Sequence, residues 1–213
     1  MPSRVLFLDC DGTLTQIKSS WEYLHRRLNL WDDLAEHFQR LYLEGKIDYY
    51  EFCRKDAYLW AGRSLKEVLE IVKEIPLTKG AEKAIKILKD MGFYTVIVST
   101  GLSLVVNRVK ELLGIDLAVS NELLTSDGFI TGKININVEQ GRKDRVVKNV
   151  LKRFGLRRED AFAIGDGVGD LTMFQSVGVS IGFNPEPEII PYVNYSVTSD
   201  NLLDVVPLLE LHR

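Results

Sequence analysis

Short apolar runs alternate with helix-period segments along much of this chain. Residues 4–8, Arg-Val-Leu-Phe-Leu, end abruptly at Asp9, which suits a strand buried on both faces of a parallel sheet. Residues 93–99, 161–165 and 177–181 have the same character, β-branched or aromatic and bounded by Gly or Asp. Between them, residues 79–91 place Ala81, Ala84, Ile85, Leu88 and Met91 on one helical face. Residues 103–113 do so with Val105, Val109, Leu112 and Leu113, and residues 143–154 with Val146, Val147, Val150 and Leu151. Strand alternating with helix predicts an α/β fold, a doubly wound, mostly parallel, Rossmann-like sheet with right-handed crossovers.

Two regions interrupt the alternation. Residues 16–76 hold no convincing strand and read as helices with apolar faces built from Trp21, Leu24, Leu28, Leu34, Phe38, Leu41, Leu59, Leu65, Val68, Leu69 and Val72, closed by Pro76. This predicts a helical cap (16–76) inserted into a core made of 1–15 and 77–213. Residues 124–137, with Asp127-Gly128 between extended runs, predict a small β-hairpin.

With 213 residues, the chain has room for one substantial core and a smaller insertion. Its 46% hydrophobic and 27% charged residues are the balance of a folded globular protein, and its net charge of −3 argues against general nucleic-acid binding. No stretch reaches the roughly 20 apolar residues of a membrane span. The apolar run before Asp9 is shorter than a secretory signal's segment of roughly 7–15 residues. Cys10 and Cys53 make neither a disulfide framework nor a zinc site. The expectation is a cytoplasmic monomer or homodimer acting on a small molecule, with neither nucleic acid nor membrane as partner.

Open α/β sheets bind ligands outside the carboxyl ends of their strands, so the residues arriving there carry the chemistry. Asp9-Cys10-Asp11-Gly12-Thr13 follows the first strand, with two carboxylates pointing one way and Cys10 another. Close anions of this kind are held by a cation or share a proton, although Asp-Gly also suits a plain turn. Ser99-Thr100-Gly101 precedes a helix and offers hydroxyls and N–H groups to an anion, or an ordinary helix cap. Lys143 opens a helix, where the dipole disfavours a cation; alone it also reads as a solvated lysine. Gly165-Asp166-Gly167-Val168-Gly169-Asp170 places two carboxylates in a glycine-rich loop, hard oxygen ligands suited to Mg²⁺. All four clusters fall at predicted strand-to-helix junctions, on one rim of one sheet.

In these motifs and their order the chain resembles the haloacid dehalogenase superfamily, in its phosphoserine phosphatase-like branch with a helical cap. The resemblance covers nearly the whole chain. It implies a Mg²⁺-dependent phosphomonoesterase in which Asp9 is the nucleophile and Asp11 the acid/base. It further implies phosphate contacts from Ser99, Thr100, Gly101 and Lys143, and metal ligation by Asp9, the Asp11 main chain and Asp166, with Asp170 in support. A phosphotransferase or phosphomutase using the same aspartyl-phosphate is the alternative. An aspartate at position 11 favours phosphate over halide chemistry, because a halide needs no proton donor.

The cap departs from the phosphoserine-specific pattern. Lys18 stands where those enzymes place a glutamate for the substrate amine, and Asp56 where they place an arginine for its carboxylate, with Arg54 nearby. Both changes reverse charge, so L-phosphoserine is expected to be a poor substrate. Gly169 stands where members of that branch often have Asn. Trp21, Trp31 and Trp60 suit either cap core or a wall for a sugar, and His25, His37 and His212 show no ligand spacing.

Overall fold

The structure, a computed structural model, describes residues 2–212, the side chains of Asp32 and Asp33 excepted. The chain begins with β1 (Arg4–Leu8). It then enters a helical stretch made of α1 (Ser20–Arg27), a π-helical turn (Trp31–Ala35), α2 (Glu36–Leu43), α3 (Tyr49–Tyr58) and α4 (Leu65–Lys73). After it come α5 (Ala81–Asp90), β2 (Phe93–Leu102), α6 (Ser103–Leu113), β3 (Leu117–Ser126) and β4 (Phe129–Asn135). The remainder holds α7 (Asp144–Phe154), β5 (Ala161–Gly165), α8 (Leu171–Phe174), β6 (Val179–Phe183), β7 (Tyr195–Val197) and α9 (Val206–Glu210).

The strands form one sheet in the order β4-β3-β2-β1-β5-β6-β7, parallel except for the antiparallel β3–β4 pair. The period of two in β1 sorts its side chains. Val5 and Phe7 join Val96, Val98 and Ala163 beneath α7, whereas Leu6 and Leu8 join Ile97 and Ile164 beneath α5 and α6. Cys10 continues the second set, fully buried, so Asp9 and Asp11 are left to the site cavity. This is the doubly wound arrangement the run-and-period pattern implies.

Two elements differ from their expected positions. The strand expected at 177–181 begins at Val179, because Gly178 N–H bonds the Ala161 carbonyl while the chain is still turning out of α8. The hairpin turns at Asp127-Gly128 as expected, both with positive φ, but its first arm is the distal half of a sheet strand, β3. Its tip also meets the helical stretch: Leu65 N–H bonds Gly128 O at 2.9 Å, and Ile130 N–H bonds Arg63 O at 2.9 Å.

The helical stretch leaves and rejoins the sheet at one place, where Thr15 bridges Leu77 and Gln16 N–H bonds Pro76 O at 3.1 Å. Three of its helices start on side-chain caps, Ser19 for α1, Asp48 for α3 and Ser64 for α4. Among the described residues no helix is long and apolar enough to cross a membrane.

Candidate active site

The carboxyl ends of β1, β2 and β5 open on a cavity of about 390 Å³ lined by Asp9, Asp11, Ser99, Lys143, Asp166 and Asp170, among others. Three of the acids meet there. Ligand oxygens of Asp9, Asp166 and Asp170 lie within 4.8 Å of one another, and all three residues are buried.

Lys143 caps the start of α7 and is only 2% exposed. Its ammonium donates to Asp9 Oδ1 and, at 2.6 Å, to Asp170 Oδ1. Burial works against its charge, but Asp170 and Asp9 outweigh that and hold it cationic. Asp170 Oδ2 accepts the N–H groups of Asp166 (3.0 Å) and Gly167 (3.1 Å), so this carboxylate shapes the loop as well as holding the lysine.

Asp166 accepts from Lys18 Nζ at 2.5 Å, and Thr13 Oγ1 lies 3.4 Å from its other oxygen. Lys18 therefore reaches the acid cluster, although its side chain is 66% exposed at the cavity rim. Burial pushes the Asp9 carboxyl well above the usual range; Lys143 opposes this, and neighbouring Asp170 and Asp166 add to it. Asp166 is raised by burial too, with Lys18 opposing. Three clustered carboxylates face two ammonium groups, and this surplus of hard oxygen donors fits a divalent cation such as Mg²⁺.

Asp11 stands apart from this trio. Its Oδ2 accepts the Ser20 N–H at 2.7 Å, whereas its buried Oδ1 has no hydrogen-bond partner. Burial raises its carboxyl above the usual range against the Ser20 hydrogen bonds. Gly12 has φ +83, and a Cβ there would overlap Asp166 Oδ2, so the turn that carries Asp11 requires glycine.

Ser99, Thr100 and Gly101 reach the same cavity, but on the last residues of β2, because α6 begins only at Ser103. Ser99 Oγ accepts the Gly101 N–H at 3.0 Å, so one N–H expected to be free is already engaged. A Cβ on Gly101 would lie 2.5 Å from Ser20 Oγ and 2.9 Å from Asp11 Oδ2.

A family model for haloacid dehalogenase-like hydrolases matches residues 4–178. The chain belongs to that family. The phosphoserine phosphatase of Methanocaldococcus jannaschii is 29% identical to this hydrolase over 95% of the chain and 96% of its own length. That of Idiomarina loihiensis is 28% identical, over 98% and 94%. A solved structure described as a phospho-aspartyl intermediate analogue of phosphoserine phosphatase superposes with a TM-score of 0.83 at 27% identity, covering 98% of this chain and 99% of that one. This haloacid dehalogenase-like hydrolase is an enzyme of the phosphoserine phosphatase-like type.

Of the specificity residues singled out by sequence, Lys18 and Asp56 line one cavity and Arg54 stands apart. Asp56 is 2% exposed, its Oδ2 lying 3.3 Å from His25 Nε2, while Arg54 is exposed and lines none of the described cavities around the site. His25 itself is fully buried and takes the Trp60 indole N–H at 2.9 Å. Trp60 is thus packed in the hydrophobic core, whereas Trp21 and Trp31 line a second cavity.

Sequence reading passed over several contributors. Glu186 follows β6, lines the cavity, and accepts Val168 N–H at 2.8 Å while its own N–H bonds Asp166 O at 2.8 Å. Its signal was its place, since Asn184-Pro185-Glu186 follows a buried strand on the same rim. Asn121 ties α3, β2 and the segment after β4 together through Tyr49 Oη, Thr100 O and Val138 O, each at 3.0 Å. Nothing in its sequence neighbourhood announces that role.

Proposed function

We propose that this hydrolase cleaves phosphate monoesters of a small metabolite through a phosphoryl group carried on Asp9. The supporting observation is the convergence of Asp9, Asp166, Asp170 and Lys143, remote in sequence, within one cavity. The names of the full-length relatives point the same way.

Lys143 engages Asp9 Oδ1. The other oxygen of Asp9 forms the new bond to phosphorus as the ester P–O bond breaks. Asp11, raised by burial and with Oδ1 unpartnered, gives a proton to the leaving alkoxide. It then takes one from the water that attacks the aspartyl-phosphate, which frees inorganic phosphate and restores Asp9. Lys143 and the Ser99 hydroxyl, with Thr100 and Gly101 beside it, hold the phosphoryl oxygens. Asp9, Asp166 and the Asp11 main-chain carbonyl would hold Mg²⁺, with Asp170 in support. When bound, that ion neutralises charge between the carboxylate nucleophile and the phosphate.

Residues 16–76 act in this reading as a cap on a core of 1–15 and 77–213, and the enzyme works in the cytoplasm as a monomer or homodimer. L-phosphoserine is a poor substrate, because Lys18 and Asp56 present the wrong charges to its amine and carboxylate. The test is a panel of phosphate monoesters, including p-nitrophenyl phosphate and L-phosphoserine, assayed with Mg²⁺ on the wild type and Asp9→Asn. Phosphate release by the wild type alone supports the reading, and equal release by the variant refutes it.

A further inference from the structure

A second cavity of about 280 Å³ adjoins the acid cluster, between α1, the π-helical turn, α2 and α3. Lys18, Ser19, Trp21, Thr100 and Gln140 line both cavities, so a group bound at the acids continues into the second one. Trp21, Trp31, Tyr42, Tyr49 and Phe52 supply its aromatic walls. The polar ends of two of them are occupied: Trp21 Nε1–H and Tyr49 O–H both donate to the Thr100 carbonyl, at 3.3 and 3.4 Å. Tyr42 and Phe52 stack at 5.0 Å with 9° between their planes. Rings with their polar atoms engaged offer apolar faces to a guest.

Of the charged residues lining the cavity, Lys18, Glu22 and Asp56, only Asp56 is buried, Glu22 being partly exposed and paired with Arg26. Asp56 lines the cavity, is 2% exposed, and has Oδ1 buried without any hydrogen-bond partner, its Oδ2 being turned to His25. A buried carboxylate oxygen left unpaired is costly, and a donor arriving there recovers that cost. Among the residues lining the cavity Lys18 is the one cation, and it is bonded to Asp166. A substrate carboxylate thus finds no free positive partner.

We propose that this cavity receives the alcohol half of the substrate, and that the alcohol carries a flat ring bearing a hydroxyl or amino donor that reaches Asp56. The inference rests on the monoesterase reading above and names its substrate class. Its volume, roughly nine water molecules' worth, suits a single substituted ring.

The Mg²⁺-supplemented enzyme is to be compared on p-nitrophenyl phosphate, propyl phosphate, benzyl phosphate, 3- and 4-(hydroxymethyl)benzyl phosphate, and L-phosphoserine. The expected kcat/KM rises about tenfold from propyl to benzyl, and again to the better hydroxymethyl ester, with L-phosphoserine among the lowest. Phe52→Ala is expected to erase the first step, and Asp56→Leu the second while sparing the first. The wild-type ranking stands as a test even if a variant does not fold. Turnover of every ester without a ring or hydroxyl preference, or a lead for L-phosphoserine, overturns this inference and leaves the hydrolase reading intact. No turnover of any ester overturns both.

Discussion

Lys143 Nζ lies 2.6 Å from Asp170 Oδ1, and the same ammonium holds Asp9. Asp170 therefore reaches the proposed nucleophile through a lysine, and reaches the loop proposed to hold the metal through its other oxygen, which accepts two main-chain N–H groups. Asp170→Asn keeps an acceptor but removes the charge that anchors Lys143. The expected result is a fall in kcat of about 10–100-fold with weaker activation by Mg²⁺, read from rates across a Mg²⁺ titration. A variant with unchanged kcat and unchanged Mg²⁺ dependence contradicts this placement.

Lys143 is the buried partner of two carboxylates, so its loss leaves both uncompensated. Lys143→Met is expected to destabilise the fold by about 3–5 kcal/mol near neutral pH. Urea denaturation of the metal-free protein measures it, and a change within experimental error would show that the cluster does not depend on this cation.

Much of this constellation was legible in the chain, for definite reasons. Asp9 and Asp166 sit immediately beyond runs that read as strands, and Lys143 immediately before a run that reads as a helix, so the strand-to-helix alternation placed all three on one rim. Asp56 was legible only as a charge, because its partner His25 comes from α1 and meets it solely through tertiary packing. Lys18 was legible as a charge reversal at a specificity position, but its bond to Asp166 is a contact across 148 positions that no local pattern encodes. The length of β2 was underestimated because Thr100 and Gly101 read as a helix start, whereas β-pairing continues to Leu102 opposite Asn121.

Gly12 turns the chain with φ +83 directly against Asp166. Gly12→Ala combines a left-handed alanine, at about 1–2 kcal/mol, with an overlap on the Asp166 carboxylate, a proposed metal ligand. Activity is expected to drop by more than stability accounts for. Rate assays paired with thermal unfolding check this, and an Ala variant of normal kcat counts against the tight Gly12–Asp166 approach.

Lys18 Nζ bonds Asp166 Oδ2 at 2.5 Å, an oxygen on which the proposed Mg²⁺ site also calls. Removing that competitor in Lys18→Met is expected to lower the Mg²⁺ concentration for half-maximal activity, after chelation with EDTA and stepwise return of the metal. A higher concentration requirement instead would mean that Lys18 assists rather than competes at this oxygen.

Phosphoryl transfer to Asp9 is the claim on which the whole account stands. Rapid acid quenching of the Mg²⁺-loaded enzyme during turnover, followed by proteolysis and mass spectrometry, tests it directly. One added phosphoryl group on the peptide containing Asp9, absent from Asp9→Asn, is the predicted result. Sustained phosphate release with that peptide unmodified, or with the label on another residue, contradicts it.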